Sequence, residues 1–415
     1  MSGAASSGPP PLEPPFPVLS SLSTAIQASI SQYEKANTPS EKAQTLQELQ
    51  TASTKLSRLT APIHQQFIEL NFRPNVNVAV RIAVEMGLFG ALPLSDEPLV
   101  VAELAKKTNA EEEFVLRISR VLGAFDILQE SDSSSGLLAY SHTPLSRFLT
   151  TPPAQASTRH LFDNMLQGHV LSAGKYYLKH GFKNPEDAKN SPFTFAHSTH
   201  DASVFDILET MPERMAIFNS AMTITAVLGL NEVVTSYPFD HLEANAEGLV
   251  LVDVGGGKGH VINEIRSVYP HMKGRIVLED MKVVLEGGTV VPEGEVALQP
   301  YDFFKEQQPI KGANYFFKSI FHDWPDSYCL QILSNLAPAM RGYSHSRLLI
   351  CDLVLPDRNP DVGKALRDIH MLLIAGKERN VGQWHRLLGQ GGFRILKIHG
   401  INNANSSIIE AVLDE

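Results

Sequence analysis

Apolar positions recur at helical spacing through the first half of the chain and in short β-branched runs through the second. Leu19, Leu22, Ile26 and Ile30 repeat every three or four residues. Leu46, Leu49, Leu56 and Leu59 do the same beyond Pro39-Ser40, so two amphipathic helices are predicted. They read either as a surface helix pair or as an arm for dimerisation. From Asn75 to Leu92 the stretch NVNVAVRIAVEMGLFGAL carries only Arg81 and Glu85 as charges. A helix that apolar on most sides is buried against other helices or against a second subunit. Val101–Lys107, a turn at Thr108-Asn109 and a second helix over about 111–125 follow. Two apolar runs, Ile127–Glu130 and Leu137–Tyr140, flank the turn Ser131–Gly136. Helix, turn, helix and hairpin in that order predict a winged-helix module.

A winged helix brings DNA binding into view as a function. The second helix, however, opens with Glu111, Glu112 and Glu113. Three carboxylates would face phosphates with like charge at the place where DNA readers carry Arg, Lys, Asn or Gln. The module is expected to pack and dimerise rather than to read bases. Residues 160–235 are again mostly helical, with a loop around Lys183–Ser191.

At Leu249 the pattern changes. LVLVDV, RIVLED, EVALQ, ANYFFK, RLLICDLVL, FRILKIHG and SIIEAVL alternate with helical spacers, which defines an α/β domain with a mainly parallel, doubly wound sheet. The short polar link Ile401–Ser406 predicts that the last two strands form an antiparallel hairpin at the sheet edge. The expected organisation is a proline-rich flexible leader over 1–17, a mainly helical region over 18–240 and the α/β domain over 241–415.

Length and composition narrow the function classes. A chain of 415 residues is too long for one ordinary core. With 43% hydrophobic and 19% charged residues it is not globally disordered. A net charge of −10 opposes attraction to polyphosphate, so no nucleic-acid partner is expected. Cys329 and Cys351 are the only cysteines, too few for a disulfide framework or a cysteine-rich zinc site. No run reaches the roughly 18 apolar residues of a membrane span, and the N-terminus lacks the basic start and apolar core of a signal peptide. A cytoplasmic protein without membrane contact is expected.

The chemistry-bearing residues cluster at the carboxyl ends of predicted strands, where open α/β sheets bind ligands. DVGGGKG, from Asp253 to Gly259, follows the first strand and opens a helix. Gly255, Gly257 and Gly259 allow a tight turn and close approach to a ligand. The dinucleotide fingerprint would need glycine where His260 stands, and a phosphate loop would need Ser or Thr where Gly259 stands. The second strand ends in Glu279-Asp280, the acid a ribose needs for its hydroxyls. The third ends in YDFF, with Asp302 for an adenine amino group and Phe303 beside it as an aromatic wall. After the fourth strand comes FFKSIFHDWPD. His322 there is the natural base near neutrality, and either Asp352 or Glu378 is placed to orient its ring.

These motifs, with ICDLVLPD and AGKERN-x-x-QW in the same order, resemble the S-adenosylmethionine-dependent O-methyltransferases of plant caffeate type and their fungal relatives, over roughly residues 60–415. The resemblance implies a Rossmann-like class I methyltransferase domain behind a dimerising, substrate-covering helical half. It makes His322 the general base and Glu378 its orienting residue, with Asp352 in a similar role. It puts Asp253, Gly255, Gly257, Asp280, Asp302, Phe303, Lys318, Asp323 and Trp324 on the cofactor, S-adenosylmethionine. Met222 and Met371 would clamp the acceptor ring. His169 is either an acid over the substrate pocket or a core histidine. The run after Arg379 departs from the family pattern only in the loop beside the site. The expected activity is O-methylation of an aromatic or polyketide-type secondary metabolite, by a homodimer and without metal. The alternative is a methyltransferase-like pericyclase or dehydratase that holds the cofactor without transferring methyl.

Overall fold

The computed structural model describes residues 16–95, 97–227, 229–291, 296–307, 310–401, 403 and 406–414. They form two compact units that divide between Thr143 and Pro144.

In the first unit, helices Phe16–Lys35 and Pro39–Thr60 pack against each other. Thr38 and Glu41 make a reciprocal capping box, with Glu41 N donating to Thr38 Oγ1 at 3.2 Å and Thr38 N to Glu41 Oε2 at 3.0 Å. That cap satisfies orphan donors and sets the start of the second helix. Phe16 and Pro17, expected in the leader, open the first helix; residues 1–15 lie outside the described residues. The apolar helix expected from Asn75 begins earlier, at Ile63, runs through Pro74 and stops at Met86. Gly87 ends it in the left-handed conformation, φ 71°, its N–H capping the last turn. This helix is less covered than its composition suggests. Only Ala79, Ala83 and Val84 are buried within the chain, whereas Phe67, Leu70 and Phe72 stand well exposed.

Helices Val101–Thr108 and Glu112–Ala124 follow, separated by Asn109 at φ 51°. Strand β1 (Leu99–Val100) was not expected. It pairs antiparallel with β3 (Leu138–His142), which pairs on its other side with β2 (Leu128–Asp132), giving the order β1-β3-β2. The helix, turn, helix and hairpin read from the sequence are present in that order.

The second unit starts at Pro144, well before the boundary expected at 240. Its first helices carry apolar faces that the α/β half covers. Met165, Phe193, Ile207 and Leu208 share a cluster with Met371 and Ile374. Leu230, Val233, Val234 and Tyr237 share another with Val250, Val261 and Ile265. Residues so joined belong to one core, and sequence distance conceals it.

The seven-stranded sheet contains β4 (Leu249–Val254), β5 (Arg275–Asp280), β6 (Val296–Pro300), β7 (Asn314–Lys318) and β8 (Leu348–Asp352). A small ladder of β9 (Val354–Leu355) and β10 (Arg379–Asn380) precedes β11 (Phe393–His399) and β12 (Ser407–Leu413). The order is β11-β12-β8-β7-β4-β5-β6, parallel from β8 to β6, with β12 antiparallel to both neighbours. Every residue of β4 and β8 is buried. Strands covered on both faces carry uninterrupted apolar runs, the pattern seen in the sequence. The expected single strand RLLICDLVL breaks at Leu353, where the chain leaves the sheet for the β9–β10 ladder.

Asn314, at the start of β7 and fully buried, stitches the centre of the sheet. Its Nδ2 donates to Glu243 O (2.9 Å) and Val250 O (2.8 Å), and its Oδ1 accepts from Arg347 N at 2.9 Å. Replacing Asn314 by Leu leaves those backbone groups without their side-chain partner, at about 1–3 kcal/mol for each buried group stranded. Asn314→Leu is expected to lower unfolding stability by about 3 kcal/mol, read as a shifted urea midpoint at unchanged slope.

Candidate active site

The turn after β4 carries the glycine run. Gly255 and Gly257 take φ 70° and 59°, a region ordinary side chains avoid. The loop docks on β5, with Gly255 N and Gly256 N donating to Glu279 O at 2.8 and 3.2 Å. Gly257 N donates to Asp280 Oδ2 at 2.8 Å. A side chain at Gly256 would run into the Asp253 carboxylate and Leu278. Asp253 therefore lies directly beneath the loop, 1% exposed, with neither carboxylate oxygen partnered among the described residues. Burial, then the charge of Asp280, raises its pKa to about 7.

Beside this loop stands an aromatic group. Phe303 meets Phe304 edge-on at 4.9 Å and Trp324 at 6.2 Å, and Trp324 stacks on Tyr328 at 5.6 Å. Asp302, one residue before Phe303, accepts Phe304 N at 3.0 Å and faces Lys305 Nζ at 3.4 Å. Lys318 closes β7 at the same end of the sheet.

His322 sits in a single 3-10 turn, Phe321–Asp323, just past β7. Its Nδ1 meets Glu378 Oε1 at 3.0 Å and its Nε2 lies 3.6 Å from Asp323 Oδ1. The sequence left Asp352 and Glu378 open as the holder of this ring, and Glu378 makes the contact. Asp352, 1% exposed at the end of β8, has no hydrogen-bond partner among the described residues and acts on the imidazole by its field. Burial pulls the His322 pKa down, but Glu378, Asp323 and Asp352 outweigh it and raise the group to about 10. Burial lifts Asp352 to about 7 and Asp323 to about 6, with His322 opposing the rise in both.

The turn before β10 locks against this histidine. Lys377 N donates to His322 O at 2.7 Å, and any side chain on Gly376 would collide with that same oxygen. Ala375 is held at φ 72°, a strained conformation for a non-glycine. Arg379 completes the lock from within the core. It is 1% exposed, and its guanidinium donates to Phe321 O (2.8 Å), Trp324 O (2.9 Å) and Asp326 Oδ1 (2.7 Å). The sequence contains Arg379 inside the GKER motif without revealing this task.

Met371 joins Met165, Phe193, Ile207 and Ile374 in a largely apolar wall, with Met215 and Phe218 packed against it. Met371 O accepts from Gly376 N at 2.8 Å, and Gly376 stands against His322 O, which ties this wall to the histidine turn. Met222, half-buried on the helix Pro212–Val227, is not among the side chains of this wall. His169 falls in a π-helical stretch, His160–Val170, and its side chain lies outside the described residues. Two imidazoles that the sequence did not single out lie in this half: His370 feels the charges of His322 and Glu378, and His160 feels that of His370.

Comparison with known proteins gives consistent findings. Residues 176–394 match the O-methyltransferase domain family, and residues 72–152 match the O-methyltransferase dimerisation domain family. The O-methyltransferase kntB of Aspergillus niger is 32% identical over 81% of this chain and 80% of its own length. Among solved structures, LepI in complex with SAM superposes with a TM-score of 0.82 at 25% identity, covering 95% of this chain and 99% of LepI. A protein described as a pericyclic reaction enzyme shares the fold with a TM-score of 0.81 at 24% identity, over 96% of this chain and 100% of that one.

The field around His322 has a direct test. Glu378→Gln removes the nearest negative charge and keeps an acceptor for Nδ1–H. The imidazole titration followed by NMR is expected to move down from about 10 by at least about one pH unit. An unmoved midpoint would show that Glu378 does not set it.

Proposed function

This chain belongs to the O-methyltransferase family, and we propose that it transfers methyl from S-adenosylmethionine to a hydroxyl oxygen of an aromatic or polyketide-type small molecule. The observation that carries this reading is His322, held by Glu378 at 3.0 Å through Nδ1, with Nε2 making no hydrogen bond among the described residues and lying 3.6 Å from Asp323 Oδ1, at the carboxyl end of the parallel strands.

The residues present fit the cofactor. The unpartnered, buried oxygens of Asp253 under the glycine loop suit a cationic amino group. Asp280 would take the ribose hydroxyls, Asp302 the adenine amino group, and Phe303 with Trp324 the adenine faces. Gly255, Gly257, Lys318 and Asp323 line the rest. When bound, the cofactor supplies an electrophilic methyl carbon on a sulfonium and needs no acid catalyst.

The protein's task is then to orient a hydroxyl and take its proton. Glu378 accepts from Nδ1, which leaves Nε2 as the proton-accepting atom of His322. With a pKa of about 10 in the free protein, the ring begins protonated at neutral pH. A cation brought to the adjoining loop weakens its hold on that proton. Asp352 and Asp323 stabilise the imidazolium by their charge, and once the ring has lost that proton to solvent, Nε2 takes the proton of the acceptor hydroxyl.

A second reading rests on the same ring. A histidinium at neutral pH is the hydrogen-bond donor that a dehydration or pericyclic closure uses, and such an enzyme would hold the cofactor unconsumed. Mass spectrometry separates the two: the transferase yields a product heavier by one CH2, whereas a pericyclase yields an isomer. For the transferase, His322→Ala is expected to lower turnover by about 10²–10⁴-fold without weakening cofactor binding, since removing the imidazolium leaves the neighbouring carboxylates to favour a cation. Wild-type rate should rise with pH as His322 loses its proton, and the variant should lose that limb.

We further propose that two copies associate through the N-terminal unit, which carries the dimerisation-domain match and the exposed Phe67, Leu70 and Phe72. No helix among the described residues is long and apolar enough to cross a membrane, and we place the protein in the cytoplasm. Sedimentation is expected to give about twice the chain mass of 45.6 kDa. Phe67→Ser with Leu70→Ser should return it to one chain mass.

A further inference from the structure

Beyond His322, the apolar wall around Met371, which we read as facing the acceptor, borders a polar spot that the proton transfer does not use. His160 opens the π-helical stretch and is 6% exposed. Asn164, fully buried, donates through Nδ2 to Arg214 O at 3.3 Å, which identifies that end of the amide as the NH2. The same NH2 lies 2.8 Å from His160 Nδ1. Nδ1 must therefore accept, and the ring's single proton sits on Nε2. Protonating Nδ1 would turn two donors against each other, so the ring stays neutral; burial, then the charge of His370, lowers its pKa to about 4.

Among the described residues none accepts a hydrogen bond from His160 Nε2. His370, half-buried one residue before Met371, has no hydrogen-bond partner for its ring among them either. The charges of His322 and Glu378 act on its imidazole, and its own charge acts on His160. The ring of His160 packs edge-on against Phe218 at 5.3 Å, Phe218 meets Phe205 at 6.0 Å, and Phe205 meets Trp324 at 5.4 Å. A donor left without a protein partner beside an apolar surface is placed to meet an acceptor on a ligand. Pockets of this kind fix orientation with a few placed polar groups.

We propose that His160 Nε2–H, with His370 beside it, receives a carbonyl-type oxygen of the acceptor, making the substrate class one that carries a hydrogen-bond-accepting oxygen in addition to the hydroxyl offered to His322. This rests on the reading of the wall as the acceptor pocket, not on methyl transfer itself. His160 and His370 are specificity-determining residues in this arrangement, and Asn164 is a positioning residue that fixes the tautomer.

The test uses the full-length protein loaded with S-adenosylhomocysteine, so that binding is read whether or not methyl is transferred. The probes are 1-naphthol and a set of acetyl-1-naphthols that place the carbonyl at increasing distance from the hydroxyl, titrated by calorimetry. At least one acetyl isomer is expected to bind wild type about tenfold more tightly than naphthol, the worth of one well-made hydrogen bond. In His160→Phe that preference should fall below about twofold, while affinities for naphthol and for S-adenosylhomocysteine change less than about twofold. His370→Leu serves as the second variant should the first fail to fold, with the same expected loss of preference. Failure of methyl transfer alone, with the binding preference intact, would overturn the proposed function and leave this inference standing. Wild-type affinity equal for all probes, including no detectable binding, overturns it, as does a preference that survives both substitutions.

Discussion

The site depends on one buried cation. Arg379 spends its guanidinium on the carbonyls of Phe321 and Trp324, which bracket the histidine turn, and on Asp326, which opens the next helix. It also lies over the Trp384 ring at 5.3 Å. A guanidinium offers five N–H groups in a rigid fork, so one residue can hold several acceptors in a fixed geometry that lysine cannot copy. Taking such a charge out of water is costly, and loss of any one partner leaves an uncompensated charge in the core. The histidine turn is thus over-determined. Because Glu378 precedes Arg379, the clamp that fixes His322 also fixes the carboxylate bonded to its ring.

Around that clamp the electrostatics are lopsided. One imidazole shares its surroundings with Glu378, Asp323 and Asp352, and Asp352 has no hydrogen-bond donor. Beneath the neighbouring glycine loop Asp253 is equally unpartnered. Buried carboxylates without donors are unfavourable in isolation, and their raised pKa values express that cost. A cationic ligand relieves it. Affinity for a cation and control of the histidine's proton are then two consequences of one arrangement of charge. Strain at Ala375 and the exclusion of any side chain at Gly376 serve the same end, bringing one backbone turn against another where the acids converge.

Much of this could be read from residue order. The strands of the sheet were legible because burial on both faces demands unbroken apolar runs, as in LVLVDV and the NYFFK segment. The acids and glycines were legible because ligands of parallel sheets bind at strand carboxyl ends, a rule that converts position in a motif into position in space. Asp280, Asp302 and His322 all stand where that rule puts them.

What the sequence by itself determined is therefore what short-range periodicity and strand-end logic encode: the α/β sheet with its terminal hairpin, the helix–turn–helix–hairpin order, and the motif residues of the site. Tertiary structure alone decided the choice of Glu378 over Asp352 against His322, the break at Leu353, and the Arg379 clamp. It also decided the division of the chain at Thr143 and the contact of His160 with Asn164. In each of these the partners lie tens to hundreds of residues apart. His322 and Glu378 are 56 positions apart and meet where Lys377 N and the Arg379 guanidinium hold the histidine turn. The helices after Pro144 find their apolar partners beyond Val250. Hydrophobic periodicity states that a face must be covered, and it is silent on which distant residue covers it.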